Sequence, residues 1–298
     1  MYFGGRFLEA GHHVSFFVRE KRAEQLQKEG LKINSVKGNY EQKDISIHTA
    51  PETINNADII LLAVKGYHLE QAVSQIKEIS KRTRAFILPL MNGVEHINRL
   101  QEAAGKERVL GGLAFIIATL NEKGHVKHTS KQHDILFGPL HESQHEICEK
   151  LEKTSKNINS NSFKKEDILT QIWKKYMFIT AFSGITSTVQ APIGPIMKSK
   201  ASLKTAKKSL QEMKDLSIKE GVSLTDKDVE QAFTQLKSFP ADATSSMHQD
   251  LRKGYPLEVE HIHGGALRIA SKHNVTLPVI ETLYGIIKVR EEGAVDMD

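Results

Sequence analysis

Cysteine occurs once in these 298 residues, at Cys148. That excludes an intrachain disulfide framework and fits a reducing compartment, so a cytoplasmic location is expected. Long apolar runs are missing too. None approaches the ~20 residues needed to span a bilayer, and no secretory-type apolar stretch opens the chain, so no membrane partner is expected. Nor is charge of one sign concentrated. Lys and Arg number 41 against 36 Asp and Glu, a net charge of +5, and the basic residues are scattered among acidic ones. This argues against nucleic acid as a partner. It leaves a solvated basic surface whose modest positive field suits an anionic ligand.

The most informative absence concerns the first twenty residues, MYFGGRFLEAGHHVSFFVRE. Phe3, Phe7 and Leu8 recur at helical spacing, and Gly11 is placed to stop that helix in a left-handed cap. Residues 14–18 form a short apolar run suited to a buried parallel strand, with Arg19 at its end. This reads as the back half of a dinucleotide-binding unit. In the full unit a first strand and a G-x-G-x-x-G turn precede the helix, and the N–H groups of that turn hold a pyrophosphate. Neither precedes the helix in this sequence. Either the start is assigned too late or the chain is a shortened member of its class; the intact remainder favours the first.

Strand and helix signals then alternate. Residues 21–29 read as a helix ended by Gly30, residues 31–36 and 45–49 as short strands, and residues 57–65 (ADIILLAVK) as the clearest strand. An amphipathic helix over 69–79, a strand over 85–90, a helix over 94–104 and an apolar strand over 109–119 follow. The alternation predicts a Rossmann-like, doubly wound parallel sheet that lacks its first strand and glycine-rich turn. Residues 156–165, polar and rich in Asn and Ser, read as a linker. Beyond them the pattern is helical, over 168–189, 202–220, 226–236 with Thr225 as N-cap, 244–253, 258–273 and 278–292. The expected domains are a dinucleotide-binding domain over 1–160 and an all-helical domain over 166–298.

Five places can carry chemistry. An acidic residue at the end of the second strand would bond the ribose hydroxyl of NAD, whereas an Arg there accommodates the 2′-phosphate of NADP, so Arg19 points to NADP; the alternative is a solvated strand-end Arg. Lys65 and the pair Asn92-Gly93 close successive strands at the edge where open α/β sheets bind ligands, although both also suit simple turns. In Trp173-Lys174-Lys175, a lysine on an apolar helix is costly unless paired or functional; Lys174 can snorkel, which leaves Lys175. Glu258 follows Pro256 at a helix start, where a carboxylate also suits the helix dipole.

The string SSMHQDLRKGYPLEVEHIHG resembles the signature of the ketopantoate reductases, S-S-M-x-x-D, then G-x-P-T-E-I-D and a closing Asn-Gly. FGGRFLEAGHHVSFFVR, AVKGYHLEQA, LMNGVEH and the W-x-K of residues 173–175 match it in the same order across essentially the whole chain. Each motif is weak alone, but five in order are strong. The resemblance implies reduction of 2-dehydropantoate to pantoate with NADPH, a small 2-keto acid as partner, and a helical domain that also serves dimerisation. It implies Lys175 as the general acid and Glu258 as the group that holds substrate and tunes that lysine. Ser246, Asn92 and Ser183 would contact substrate, with Asn92 bridging to the cofactor, and Arg19 and Lys65 would lie near the adenosine phosphate end.

The chain departs from the pattern where Asn is usual four and eight residues after the lysine; Ile179 and Ser183 stand there. His263 replaces the Asn of the closing Asn-Gly, and Leu257 a usual Thr. The loss of an amide at Ile179 leaves the identity of the 2-keto acid open. His141, His145 and Cys148 fall at i, i+4 and i+7, but scattered surface histidines explain them, and no metal is expected. Two other readings compete with the ketopantoate reductase: a cofactor-impaired paralogue that acts by binding, and a reductase of another 2-keto acid.

Overall fold

The computed structural model describes residues 1–293, and its contacts divide the chain into two units. The first comprises Met1–Val64, Glu70–Met91 and Ile97–Ile168; the second comprises Lys65–Leu69, Asn92–His96 and the chain from Leu169.

In the first unit, α1 (Tyr2–Glu9) buries Tyr2, Phe3 and Phe7, and Gly11 turns the chain at φ +85 into β1 (Ser15–Phe17). The series α2 (Glu20–Glu29), β2 (Leu31–Ser35), β3 (Tyr40–Gln42), β4 (Ser46–His48), β5 (Ile59–Leu62), α3 (Leu69–Ser80), β6 (Phe86–Pro89) and α4 (Glu95–Ala104) follows, close to the periodicity of the sequence. Next come β7 (Gly111–Leu120), β8 (Val126–Gly138), α5 (His145–Thr154) and β9 (Asn161–Lys164). One core joins α1 to the strands through Phe16, Leu31, Ile33, Leu110, Ile135 and Phe137.

The sheet structure is mixed, not wholly parallel. β1 pairs β4 and β5 pairs β6 in parallel, whereas β2–β3 and β7–β8 are antiparallel in the order β3-β2-β8-β7. The reason is connection length. Residues 121–125 close a turn between β7 and β8, with Gly124 N–H donating to Asn121 O at 2.8 Å, and a parallel pair needs a crossover of a dozen residues or more. The 156–165 stretch is not a plain linker either. Within it β9 pairs parallel with β8, and Asn161 Nδ2 donates to Asp134 Oδ1 at 2.8 Å. Its polar composition is that of a half-exposed strand at a sheet edge.

The second unit is helical: α6 (Ile168–Val189, its first residue in the other unit), α7 (Ile193–Lys198), α8 (Lys200–Lys219), α9 (Asp226–Ser238), α10 (Ser246–Arg252), α11 (Gly265–Lys272) and α12 (Pro278–Gly293). α6 is apolar on most sides and buries Ile172, Trp173, Tyr176, Met177, Ala181 and Ile185, as expected of a central helix. Thr225 and Asp228 form a reciprocal capping box on α9. The 258–273 segment is not one regular helix, because Glu260–Gly264 is a π-turn that runs into α11. Among the described residues no helix is long and apolar enough to cross a membrane.

Candidate active site

β5 and β6 pair in register as far as Leu62↔Pro89. Lys65 and Asn92 therefore each lie three residues past the last paired position, and each is followed by a glycine. Both residues belong to the second unit, where they meet the chain around the π-turn. Glu258, 6% exposed, takes hold of the first turn: its Oε1 accepts from Gly66 N–H at 3.1 Å and its Oε2 from Lys65 Nζ at 3.1 Å. Asp250 Oδ2 accepts from the same ammonium at 2.9 Å. His261 engages the second turn, with Nε2 donating to Asn92 O at 2.7 Å. A carbonyl only accepts, so this bond places the proton on Nε2.

Electrostatics separates the two lysines. Burial acts to lower the Lys65 pKa, but Glu258 and Asp250 together outweigh it and raise the value above its ordinary range. Lys175, on α6 and only partly exposed, goes the other way. Desolvation pulls its pKa down to about 8, against the opposing pull of Glu258. His96 is fully buried beside His261, with ring centroids 6.0 Å apart, and among the described residues neither of its ring nitrogens has a hydrogen-bond partner. Burial, with the nearby His261 and Lys175, brings its pKa down to about 3, so it is neutral at physiological pH.

The structure thus brings Lys65, Asn92, Lys175 and Glu258 into one unit. Ser246 is exposed at the start of α10, while its neighbour Ser245 caps that helix and bonds Thr186 Oγ1 at 2.8 Å. Ser183 is buried on α6, and Ile179 is partly exposed between it and Lys175. Lys174 ion-pairs with Asp228 at 2.8 Å. Arg19 belongs to the first unit, exposed at the N-cap of α2. His263 is fully buried and bonds Thr180 O through Nε2 at 3.1 Å, and burial lowers its pKa to about 4. Leu257 packs with Met247, Val259 and Ile287. His141 caps the short 3-10 turn Glu142–Gln144 ahead of α5, His145 begins that helix, and Cys148 is buried within it, so the three do not share one helix face.

Several residues of this cluster carried no readable role in the sequence. Asp250 closes the S-S-M-x-x-D string, which was its one available signal. Glu95 receives a two-pronged ion pair from Arg268, at 3.0 and 2.6 Å, that ties the Asn92–His96 segment to α11. For His96 and His261 nothing in the spacing marked a role.

An ammonium with a pKa near 8, set beside a carboxylate, holds a proton at neutral pH and gives it up readily, which is what a general acid requires. Comparison with known proteins identifies the family. Over 290 residues the chain is 37% identical to the uncharacterized oxidoreductase YkpB of Bacillus subtilis (strain 168), covering 97% of this chain and 95% of that protein. It is 24% identical to the 2-dehydropantoate 2-reductase of Pyrococcus abyssi (strain GE5 / Orsay), over 97% of this chain and 93% of that one. In fold it superposes on D-mandelate dehydrogenase in its ternary structure with NADH and anilino(oxo)acetate, with a TM-score of 0.88 at 20% identity, over 99% of this chain and 96% of the other. The family profile Ketopantoate reductase PanE/ApbA matches residues 1–142, and its C-terminal counterpart matches residues 167–291. A Rossmann-like N-terminal part and a helical C-terminal part, both matched over most of their length, make this oxidoreductase a member of the ketopantoate reductase family.

Proposed function

We propose that the protein reduces a small branched 2-keto acid, with 2-dehydropantoate as first choice, to the 2-hydroxy acid. The observation that carries the reading is Lys175, a desolvated ammonium with a pKa near 8 and Glu258 as its charged neighbour. A nicotinamide cofactor supplies the hydride when bound. As the ketone carbon accepts that hydride, the oxygen gains negative charge, and the Lys175 ammonium stabilises it and gives it the proton. Glu258 opposes the desolvation of that ammonium, and Lys65 and the Gly66 N–H hold Glu258 in place. The partly exposed Asn92 side chain, with no hydrogen bond of its own among the described residues, can offer its amide to substrate or nicotinamide. Ser246 and Ser183 complete the proposed substrate contacts, and the active form is proposed to be a homodimer.

Arg19 fits NADPH. It is exposed where β1 ends, and among the described residues no carboxylate pairs with it, so its guanidinium is open to a 2′-phosphate. Arg19→Asp is expected to shift the NADPH/NADH ratio of kcat/KM about 10- to 100-fold towards NADH, the scale of one charged hydrogen bond of about 1.5–3 kcal/mol. Steady-state kinetics with both cofactors checks this; a ratio that does not move removes Arg19 as the selector.

A second reading, a reductase of another 2-keto acid, is favoured by Ile179, whose apolar side chain occupies a position where the family pattern has an amide, and by the fold match to D-mandelate dehydrogenase. Oxidation of NADPH and NADH with a panel of ketopantoate, 2-ketoisovalerate and benzoylformate separates the readings. Ketopantoate is expected to lead. Another acid ahead by more than about tenfold in kcat/KM, ~1.4 kcal/mol in transition-state binding, selects the second reading. No oxidation with any acid rejects both.

A further inference from the structure

Glu258 and His261 stand three residues apart at the mouth of the π-turn, and each holds a different strand-end turn. Glu258 holds Lys65-Gly66 and His261 holds Asn92-Gly93. The His261 ring does more than donate one bond. A Cβ on Gly66 would lie 2.4 Å from His261 Cβ and Cγ, and one on Gly93 would lie 3.3 Å from its Nε2. The imidazole therefore wedges between the two glycine turns, in contact with both. The buried His96 ring lies beside it, with centroids 6.0 Å apart, and among the described residues makes no hydrogen bond to it. Gly93 sits at φ +76, in the left-handed region, and contributes no side chain to stiffen the turn.

We propose that His261 is a positioning residue for the reduction described above: it fixes the Asn92 backbone, and with it the direction in which the Asn92 amide meets its ligand. The proposal rests on that reading for its kinetic arm alone. Asn92 O is held by the imidazole N–H, and the segment's next anchor is Glu95 on Arg268, three residues on. With the N–H removed, Glu95 still tethers the segment, but residues 92–94 lose the bond that sets their orientation. The π-turn makes the arrangement possible. Such turns recur at functional sites because they re-aim side chains within a helix, and here both clamping residues lie within or just before one.

The experiment compares His261→Phe, which keeps ring area and loses the donor, with His261→Gln, which keeps a donor. Hydrogen–deuterium exchange of the full-length protein is read over residues 91–100, and KM and kcat are read for the best 2-keto acid. In His261→Phe, exchange at residues 93–96 is expected to quicken and KM to rise about tenfold, the worth of a hydrogen bond of ~1.4 kcal/mol. The alkaline fall of kcat stays where it is in the wild type, and His261→Gln recovers most of both losses. Unchanged exchange in His261→Phe overturns the proposal, as does an unchanged KM or a KM that His261→Gln leaves raised. If the wild-type protein reduces no 2-keto acid, the functional reading fails by itself, and the exchange arm still decides whether His261 holds the turn.

Discussion

Lys175→Met lowers kcat by about 10²–10⁴-fold, the usual scale for loss of a general acid, and removes the alkaline limb of the pH profile. The sign follows from the site. With a pKa near 8, the lysine is mostly an ammonium at pH 7, and only that form can give a proton to the developing alkoxide. Wild-type kcat is therefore expected to be level below about pH 8 and to fall about tenfold per unit above it. Methionine fills much the same space and has no proton to give, so its residual rate is flat through that range. Lys174→Ala is the control. Adjacent helix residues point ~100° apart, and Lys174 is a partly exposed lysine paired with Asp228, an interaction worth about 0–1 kcal/mol. Equal losses in the two variants, or a wild-type limb that survives in Lys175→Met, would remove Lys175 as the donor.

The second large effect is that of Glu258→Gln. The neutral amide can still accept from Gly66 N–H, but it then turns its NH₂ towards the Lys65 ammonium, donor against donor. Breaking a buried pair typically costs about 3–5 kcal/mol. The Lys65 side chain is 40% exposed, so solvent screens part of this, and about 2–3 kcal/mol is expected in urea denaturation. Lys65 is held above its ordinary pKa in the folded state. Its share of the stability is therefore complete at neutral pH and is lost only as pH rises through that folded value. The kinetic signature is separate. Glu258 opposes the desolvation of Lys175, so without its charge the alkaline limb of kcat moves to lower pH. A limb that stays near pH 8 shows that Glu258 does not tune Lys175.

The candidate residues stood out in the sequence more readily than the scaffold that carries them. Lys175 stood out as a candidate because a lysine in an apolar helix is costly without a reason, and Glu258 because the string around it is distinctive. Parallel-strand runs such as IILL of β5, and helices with Gly or capping stops, were legible from periodicity. β8 was not, because its first half, from Lys127 to Gln132, is a polar run whose composition reads as loop. β9 was mistaken for linker because an edge strand with one neighbour tolerates Asn and Ser. The antiparallel hairpin of β7 and β8 lay hidden behind a run of parallel-type strands. His96 and His261 were silent for a different reason. Their role depends on which turns pack against them, a long-range contact of 169 positions in the case of His261 and Asn92, and no local period encodes that.

The shared register of β5 and β6 gives Lys65 and Asn92 the same residue count from the last strand pair. Each lies three residues past Leu62↔Pro89, and one residue of strand is about 3.3 Å with its side chain reversed to the opposite face. A single-residue deletion inside either strand would therefore make the two counts unequal while leaving each of these candidate side chains in the sequence. Between residues 60 and 92 the site is kept by counting as much as by chemistry. Drift in such a protein is then tolerant of substitution along these strands, provided they stay apolar, and intolerant of changes in their length.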